Sequence, residues 1–270
     1  MKLSWPVVTA KFFHFILLVI VASCAKIDVD YHMPINRYET PEVRGERWKG
    51  YASVNGSSTQ KLTLTEVFDD TVFNTGPSVD DEPKMEKSFA LGLRAGINLF
   101  ENFDVFYRSV YDSPDQIGMK YQMMGEGSEK KSEGHKMAVT FAFGSTDRSD
   151  GDLQLRSDTS NQTRTYNSNL KISSWDFAWL YGYRKYEWLL LYSNVFWTQY
   201  KVESHLTSNV HPDVGVTGIA KTKGLLLGAR FNGTKSRAFF TLEGGLVNTN
   251  WNGDINTSTY TIGGDLGFVF

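Results

Sequence analysis

The sequence ends in YTIGGDLGFVF, residues 260–270, and this stretch decides the fold class. One set of alternate positions is largely apolar: Tyr260, Ile262, Gly264, Leu266, Phe268 and Phe270. The other set is mostly small or polar: Thr261, Gly263, Asp265, Gly267 and Val269. Because successive side chains of a β-strand point to opposite faces, the stretch predicts one long strand with an apolar face and a polar face.

The same two-residue period recurs along most of the chain. It occupies the stretches 89–98, 103–111, 117–123, 136–143, 175–184, 224–231 and 238–246. It is less clear at 48–55, where Leu62 and Leu64 also alternate further on, so the identity of the first strand stays open. The expected connections alternate between short links, near 100–102, 184–187 and 232–236, and long links, near 56–87, 145–171, 203–221 and 249–257. Two links are less regular: one of middling length at 125–134 lies on the short side, and a short one at 112–116 lies on the long side. Bacterial membrane barrels have short turns at one end and longer loops at the other. The sequence therefore predicts an all-β fold, an antiparallel up-and-down transmembrane β-barrel of about ten strands, with eight or twelve as alternatives.

A soluble β-sandwich or lipocalin-like barrel is the rival for this pattern, because its apolar face would turn inward. Two observations favour a membrane barrel. Large aromatic residues lie near the ends of the apolar faces, as in interfacial girdles, and the opposite faces carry charges that are costly to bury in an apolar core. The stretch 188–200 is apolar on both faces in its first half, and we expect its inner face to pack against a plug in the lumen.

The first residues have the pattern of an export signal. Lys2 and Lys11 precede an apolar stretch, 12–22, and the single cysteine follows at position 24. The letters VASC at 21–24 resemble the lipobox of bacterial lipoproteins, and this resemblance implies lipidation of Cys24. An ordinary signal peptide cleaved just after this point is the alternative. We expect a signal peptide at 1–23, a lipidated periplasmic tether at 24–46 and a barrel with long extracellular loops at 47–270.

The last strand also resembles the terminal signature of Gram-negative outer-membrane proteins, which the barrel-assembly machinery reads. The residues that carry it are Tyr260, Ile262, Leu266, Phe268 and Phe270. The resemblance implies the cell outer membrane as location, and outer-membrane lipid, lipopolysaccharide and the assembly machinery as partners, beside an unidentified extracellular ligand. A net charge of −2 argues against a nucleic-acid partner. No zinc spacing, phosphate loop or dinucleotide fingerprint indicates a metal or cofactor.

The polar faces of the predicted strands supply the side chains expected in the lumen. These are Lys49, Arg94, Asp104, Arg108, Lys120, Asp176, Arg184, Arg230, Glu243 and Asp265, together with Lys136. Barrels of eight strands are just filled by their inward side chains, and ten strands are only slightly wider. We therefore expect a closed barrel plugged by ion pairs between these residues. The alternative is a narrow channel for small polar or anionic solutes.

The predicted outer loops contain the residues that suggest an enzyme. His211 and Asp213, opposite an acidic stretch at 69–82, are faintly similar to the omptin proteases, which are also ten-stranded outer-membrane barrels. Here the His-Pro-Asp order reverses the Asp-x-His of that family. Ser204 and His205 suggest a lipid hydrolase but lack an orienting acid. We expect no catalytic residues and a non-enzymatic structural or surface-interaction role, with a surface hydrolase as the alternative.

Overall fold

The computed structural model of the 270-residue chain describes residues 25–69, 76–79, 83–156, 163–209, 213–233 and 236–270. Within these ranges the secondary structure is entirely β. The strands are β1 (Ala25–Pro34), β2 (Gly50–Asp69), β3 (Gly76–Val79), β4 (Lys84–Phe100), β5 (Phe103–Val110), β6 (Gln116–Met124), β7 (Gly134–Arg156), β8 (Thr163–Tyr186), β9 (Leu189–Ser208), β10 (Val214–Asn232), β11 (Ala238–Trp251) and β12 (Ile255–Val269).

Ten of these strands close into a barrel. From β4 to β12 each strand pairs antiparallel with the next, and β2 closes the ring by pairing with both β4 and β12. The other two strands, β1 and β3, pair only with β2 in the described part of the chain. The prediction of an all-β, antiparallel up-and-down barrel of about ten strands is therefore confirmed.

The two ends of the barrel differ in how far the strands of the wall extend. The end with the connections β4–β5, β6–β7, β8–β9 and β10–β11 is called the turn end, and the opposite end is called the loop end. The short links lie where the sequence predicts them. The predicted long links were wrong in large part, because β7, β8, β9 and β10 continue as paired strands through most of 145–171 and 203–221.

The outer face of the barrel carries large apolar side chains, and we call this surface the apolar belt. Its exposed members include Phe89, Leu91, Leu93, Ile117, Met119, Phe141, Phe143, Phe177, Trp179, Leu225, Leu227, Leu242, Leu246, Ile262, Leu266 and Phe268. Towards the turn end, Tyr186, Trp188, Phe231 and Phe240 form a row of stacked rings with neighbouring centroids 5.6 to 6.3 Å apart. The side chains that face the interior at the same level are mostly polar or charged.

Polarity reverses along the strands beyond the belt, and β8 shows the change most clearly. At belt level Phe177 points outward and Asp176 is buried inside. Nearer the loop end, Lys171 is exposed on that same outer face, whereas Leu170 and Ile172 are buried inside. Because alternation continues while polarity inverts, the wall has an outer face suited to lipid at one level and to water at the next.

A two-stranded ribbon closes the loop end. We call it the N-terminal ribbon, and it consists of β1 and residues 59–69 of β2. Strand β12 pairs with β2 only as far as Gly56, and β1 takes over that edge from Thr59. The apolar face of the ribbon packs into one buried cluster with inward side chains of β8 to β11: Val29, Tyr31, Met33, Leu62, Leu64, Leu170, Ile172, Tyr200, Val202, Ala220 and Trp251. The loop end thus has an apolar core of the water-soluble kind.

Inward aromatic rings lie over glycines of the adjacent strands. Tyr192 faces Gly228 across the β9–β10 pair, and Tyr51 faces Gly96 across the β2–β4 pair. A Cβ atom built on either glycine would overlap the facing ring. The missing side chains therefore make room for large rings inside a narrow barrel, where an added methyl group would force the ring or the backbone to move.

Candidate functional site

The barrel interior is occupied by the chain itself. Residues 35–44, which we call the plug, are buried along their whole length. The plug starts directly after β1, where Ile35 packs with Phe196 and Leu226 of the wall. It ends near the turn end, where the backbone N–H of Arg44 donates to Asp104 Oδ1 at 3.2 Å. A periplasmic tether was expected here, but the structure buries Val29 and residues 31–44 within the barrel and its ribbon.

The carboxylates of the plug pair with cations of the wall. Glu39 accepts from Arg94 at 2.9 Å, and the same guanidinium contacts Asp265 of β12 at 3.1 Å. Glu42 pairs with Arg184 through two guanidinium nitrogens, and Lys136 lies 3.9 Å away. A charge at these positions would be costly to bury alone, so each pair fixes one point of the plug against the wall.

The cationic side chain of Arg37 in the plug pairs with the wall carboxylate of Asp176. Asp176 also lies 3.8 Å from Arg108, and it accepts a hydrogen bond from Thr198 at 2.6 Å. The Arg37 guanidinium stacks over the Phe196 ring at 4.2 Å. The inner face of the stretch 188–200 therefore packs against a plug at Phe196, as the sequence predicts.

Glu243 of β11 binds the backbone of the plug rather than a cation. Its carboxylate accepts from the N–H of Arg37 at 2.6 Å and from the N–H of Tyr38 at 3.1 Å. The hydroxyl of Tyr192 donates to the same carboxylate at 3.0 Å. These bonds satisfy amides of an extended segment that has no strand neighbour at this level, as buried backbone groups require.

Wall residues at the turn end hold the last part of the plug. Gln122 accepts from the N–H of Val43 at 2.8 Å, and Lys120 donates to the carbonyl of Glu42 at 2.8 Å. Lys120 also pairs with Asp104 at 3.4 Å. The plug is therefore bonded to the wall at several levels between the two ends.

The structure buries all but one of the predicted lumen residues. The buried members are Arg94, Asp104, Arg108, Lys120, Asp176, Arg184, Arg230, Glu243 and Asp265, and Lys136 is buried as well. Lys49 is the exception: it lies in the turn before β2, its side chain is 39% exposed, and it is 4.0 Å from Glu46. Arg230 stacks on the Phe239 ring at 3.7 Å.

Three ion pairs join wall residues to one another, as expected: Arg94–Asp265, Arg108–Asp176 and Lys120–Asp104. Four wall charges pair with the plug, and this was missed by sequence reasoning. It expected ion pairs between wall residues, and it assigned the plug charges Arg37, Glu39, Glu42 and Arg44 to a solvated tether. In the described interior, eight buried cations face six buried carboxylates. The available signal was the presence of two cations and two anions in this short segment, because charges of both signs next to a barrel with inward charges can pair with them.

The polar face of the N-terminal ribbon contains a second group of charges. Asp30 pairs with Lys61 at 2.6 Å, and His32 Nδ1 lies 2.8 Å from the Thr59 hydroxyl. Burial opposes ionisation of Asp30, but hydrogen bonds from Lys61 and Thr63 outweigh it and lower its pKa. For His32 the direction of the burial effect is the opposite: burial disfavours the charged imidazolium and lowers its pKa, and this outweighs the attraction of Asp112 and Asp30.

The residues that suggested a hydrolase are not brought together. Ser204 is buried on the inner face of β9 and His205 is exposed on its outer face, so the two side chains point in opposite directions. Asp213 is exposed beside β10, whereas His211 and Asp70 lie outside the described residues. The leader 1–23 and the lipidation candidate Cys24 also lie outside them.

In the ranges that the structure describes, no three or more His, Cys, Asp or Glu side chains are grouped so as to hold a metal ion. The described ranges also contain no helix long and apolar enough to cross a membrane. No family model matches the chain, and no curated protein matches it. Among solved structures, the chain is similar to Ail, the attachment invasion locus protein of Yersinia pestis, at 12% identity. That match covers 83% of this chain and 100% of the other, with a TM-score of 0.28.

Proposed function

We propose that this chain is an integral outer-membrane β-barrel whose interior is permanently filled, and that it has a structural or surface-interaction role. The observation that carries the proposal is the apolar belt around an ionic interior. Soluble monomers rarely expose apolar patches larger than a few hundred Å². A continuous belt of large side chains over buried charges is the arrangement that suits a barrel in lipid.

The height of the belt agrees with this setting. At the C-terminal end of the chain it runs from Tyr260 to Phe270, a span of ten residue steps with both end side chains exposed. At about 3.4 Å per residue and a tilt of about 40°, this length corresponds to about 26 Å along the barrel axis. The apolar band of outer-membrane barrels is about 25 Å tall. The stacked rings at the turn end and the edge-to-face pair Trp175–Trp197, with centroids 3.8 Å apart, have the character of interfacial girdles.

The filled interior favours a closed barrel rather than a channel. Ion pairs hold the plug at Arg94, Asp176 and Arg184, and the N-terminal ribbon packs over the loop end. Among the loop-end residues that the structure describes, no group of side chains favours a hydrolase. The outward residues of the loop end, with the partly exposed Asp30 and Lys61 of the ribbon, are the surface available to an external partner.

We further propose that Cys24 is lipidated, on the strength of the VASC sequence at 21–24. The next residue, Ala25, pairs with Phe68 at the loop end. A lipid on Cys24 would therefore be delivered to the loop side of the barrel, and not to the periplasmic side that the tether expectation implied. Metabolic labelling with palmitate should mark the wild type and not Cys24→Ala, and equal labelling of both would refute lipidation.

Heat-modifiability tests the membrane barrel itself. The wild type, extracted in detergent, should migrate differently on a denaturing gel before and after boiling, because a closed barrel resists the detergent until it is heated. A folded monomer that stays in solution without detergent would refute the proposal.

Conductance in a planar bilayer tests the closed interior. The wild type should give no discrete current steps. A variant lacking residues 29–44 serves as the control, provided that it keeps its heat-modifiable migration, and it should give steps or a raised leak. Stable steps in the wild type of the same size as those of the deletion variant would refute a closed interior.

A further inference from the structure

We propose that a groove on the outer face of β10, β11 and β12 binds one phosphorylated lipid of the membrane leaflet at the loop end. The groove has a volume of about 410 Å³. Its lining includes Lys223, Leu246, Asn248, Ser258 and Tyr260. The inference rests on the proposed membrane location and goes beyond it by naming a site and a ligand class.

Register divides the groove into a polar row and an apolar row. Lys223 lies opposite Asn248, which lies opposite Ser258 across the next strand pair. The Asn248 amide donates to the Ser258 hydroxyl at 3.0 Å. One step nearer the turn end, Leu246 lies opposite Tyr260, and both are largely exposed. The groove therefore spans the upper edge of the apolar belt, where a lipid passes from headgroup to acyl chain.

The apolar part continues as a furrow towards the middle of the belt. Leu227 lies opposite Gly244, and Gly244 lies opposite Ile262. A Cβ built on Gly244 would come no closer than 3.0 Å to any atom, and the nearest atoms belong to the backbone. Exposed side chains of Leu227 and Ile262 thus stand on either side of a backbone floor, as a bound acyl chain requires.

Lysines give the polar end its charge. Lys87 Nζ lies 4.0 Å from the centre of the Tyr260 ring, and Lys221 and Lys223 are exposed on β10. Among the described residues none of these three lysines forms an ion pair. Lys223 in the groove lining and Lys87 beside the Tyr260 ring are complementary to a phosphate, which is doubly or nearly doubly charged at neutral pH as a monoester.

Direct binding of a phosphorylated lipid tests the site. The full mature barrel in a neutral detergent is titrated with bisphosphorylated lipid A, and bound lipid is counted by native mass spectrometry. We expect one lipid per barrel. The double variant Lys87→Gln/Lys223→Gln should bind about 30-fold more weakly, since a lysine near an anionic lipid contributes roughly a factor of five.

A matched control is available at the turn end, where Lys185 Nζ lies 5.4 Å from the ring of Tyr186. Lys185→Gln removes an equivalent lysine over a tyrosine and should leave lipid binding unchanged. Equal weakening by Lys185→Gln, or unchanged binding by the double variant, would overturn the site. Equal binding of dephosphorylated lipid A would overturn the role of phosphate.

Inorganic phosphate separates a lipid site from a site for free anions. It should not displace the lipid at concentrations that leave the barrel intact, because it cannot use the furrow. Displacement would overturn the assignment to a lipid. All variants are checked for heat-modifiable migration. A wild type without that property would refute the membrane proposal, whereas variants that keep it and still bind lipid as the wild type does would refute the groove alone.

Discussion

Replacing Leu227 by arginine tests the claim that polarity reverses along single strands. Leu227 lies on the outer face of β10, 63% exposed, within the apolar belt. Thr217 lies on the same face of the same strand, ten residues nearer the loop end, and is also exposed. The two positions differ mainly in level, so Thr217→Arg is a matched control for Leu227→Arg.

The expected costs differ by several-fold. An arginine on the lipid face near the middle of a bilayer destabilises a membrane barrel by about 2–4 kcal/mol. An arginine on a solvated strand surface changes stability by about 0.5 kcal/mol or less. With a urea slope of about 2 kcal/mol per molar, Leu227→Arg should lower the unfolding midpoint by roughly 1–2 M, whereas Thr217→Arg should leave it nearly unchanged.

The assay is a urea titration of barrels folded into phospholipid vesicles, followed by tryptophan fluorescence. The same two variants in a detergent micelle report whether the difference requires a lipid environment. Equal midpoints for the two variants, or a larger loss for Thr217→Arg, would refute the assignment of the belt to the membrane and of the loop-end wall to water.

Three further outcomes follow from the interior and the ribbon. Arg94→Leu should cost about 3–5 kcal/mol in the same titration, because it leaves buried carboxylates unpaired, and Arg94→Leu/Glu39→Gln should recover part of the loss; no recovery would deny the pairing. Gly228→Val should destabilise the barrel by about 1–3 kcal/mol through its overlap with Tyr192, and Gly228→Val/Tyr192→Ala should be less affected; equal losses would argue against the overlap. Because burial lowers the pKa of His32 below its usual 6.5, the unfolded ribbon takes up the proton first, so ribbon stability should fall as pH drops below about 6.5. Protease cleavage within residues 25–34 should then increase between pH 8 and pH 5, and less so in His32→Gln; cleavage independent of pH would contradict the role of His32.

The wall of the barrel could be predicted because its sequence carries the period directly. Where the outer face is apolar, as from Leu225 to Phe231, alternation is visible in the letters, and the strand and its orientation follow. Beyond the belt the outer face becomes polar and the inner face becomes apolar, as around Leu170. The two-residue period continues there, but the outward residues are no longer apolar. Because the strands were recognised by their apolar outward residues, these continuing strands were interpreted as loops.

The plug could not be predicted from periodicity, because it pairs with none of the described strands and so has no neighbour to impose a period. Residues 35–44 follow the shape of the lumen, and their partners are spread over the wall from Arg94 to Glu243. Pairing of this kind depends on distances across a closed barrel, which sequence spacing does not contain. The charges of the wall were predictable residue by residue, but the identity of their partners was not.

The plug and β2 are consecutive in the chain, separated by a short turn before Gly50. The first wall strand, β2, therefore starts from the C-terminal end of the plug, which the closed ring surrounds. Zipping β12 onto β2 is the step that makes the enclosure complete, since this seam joins the last wall strand to the first. If the ring closed first, Arg37, Glu39 and Glu42 would have to move past one another's binding partners through a lumen that the plug itself fills. The wall strands should accordingly assemble around the plug before the β2–β12 seam closes. Because the plug precedes the wall in the chain, it is synthesised before the strands that enclose it.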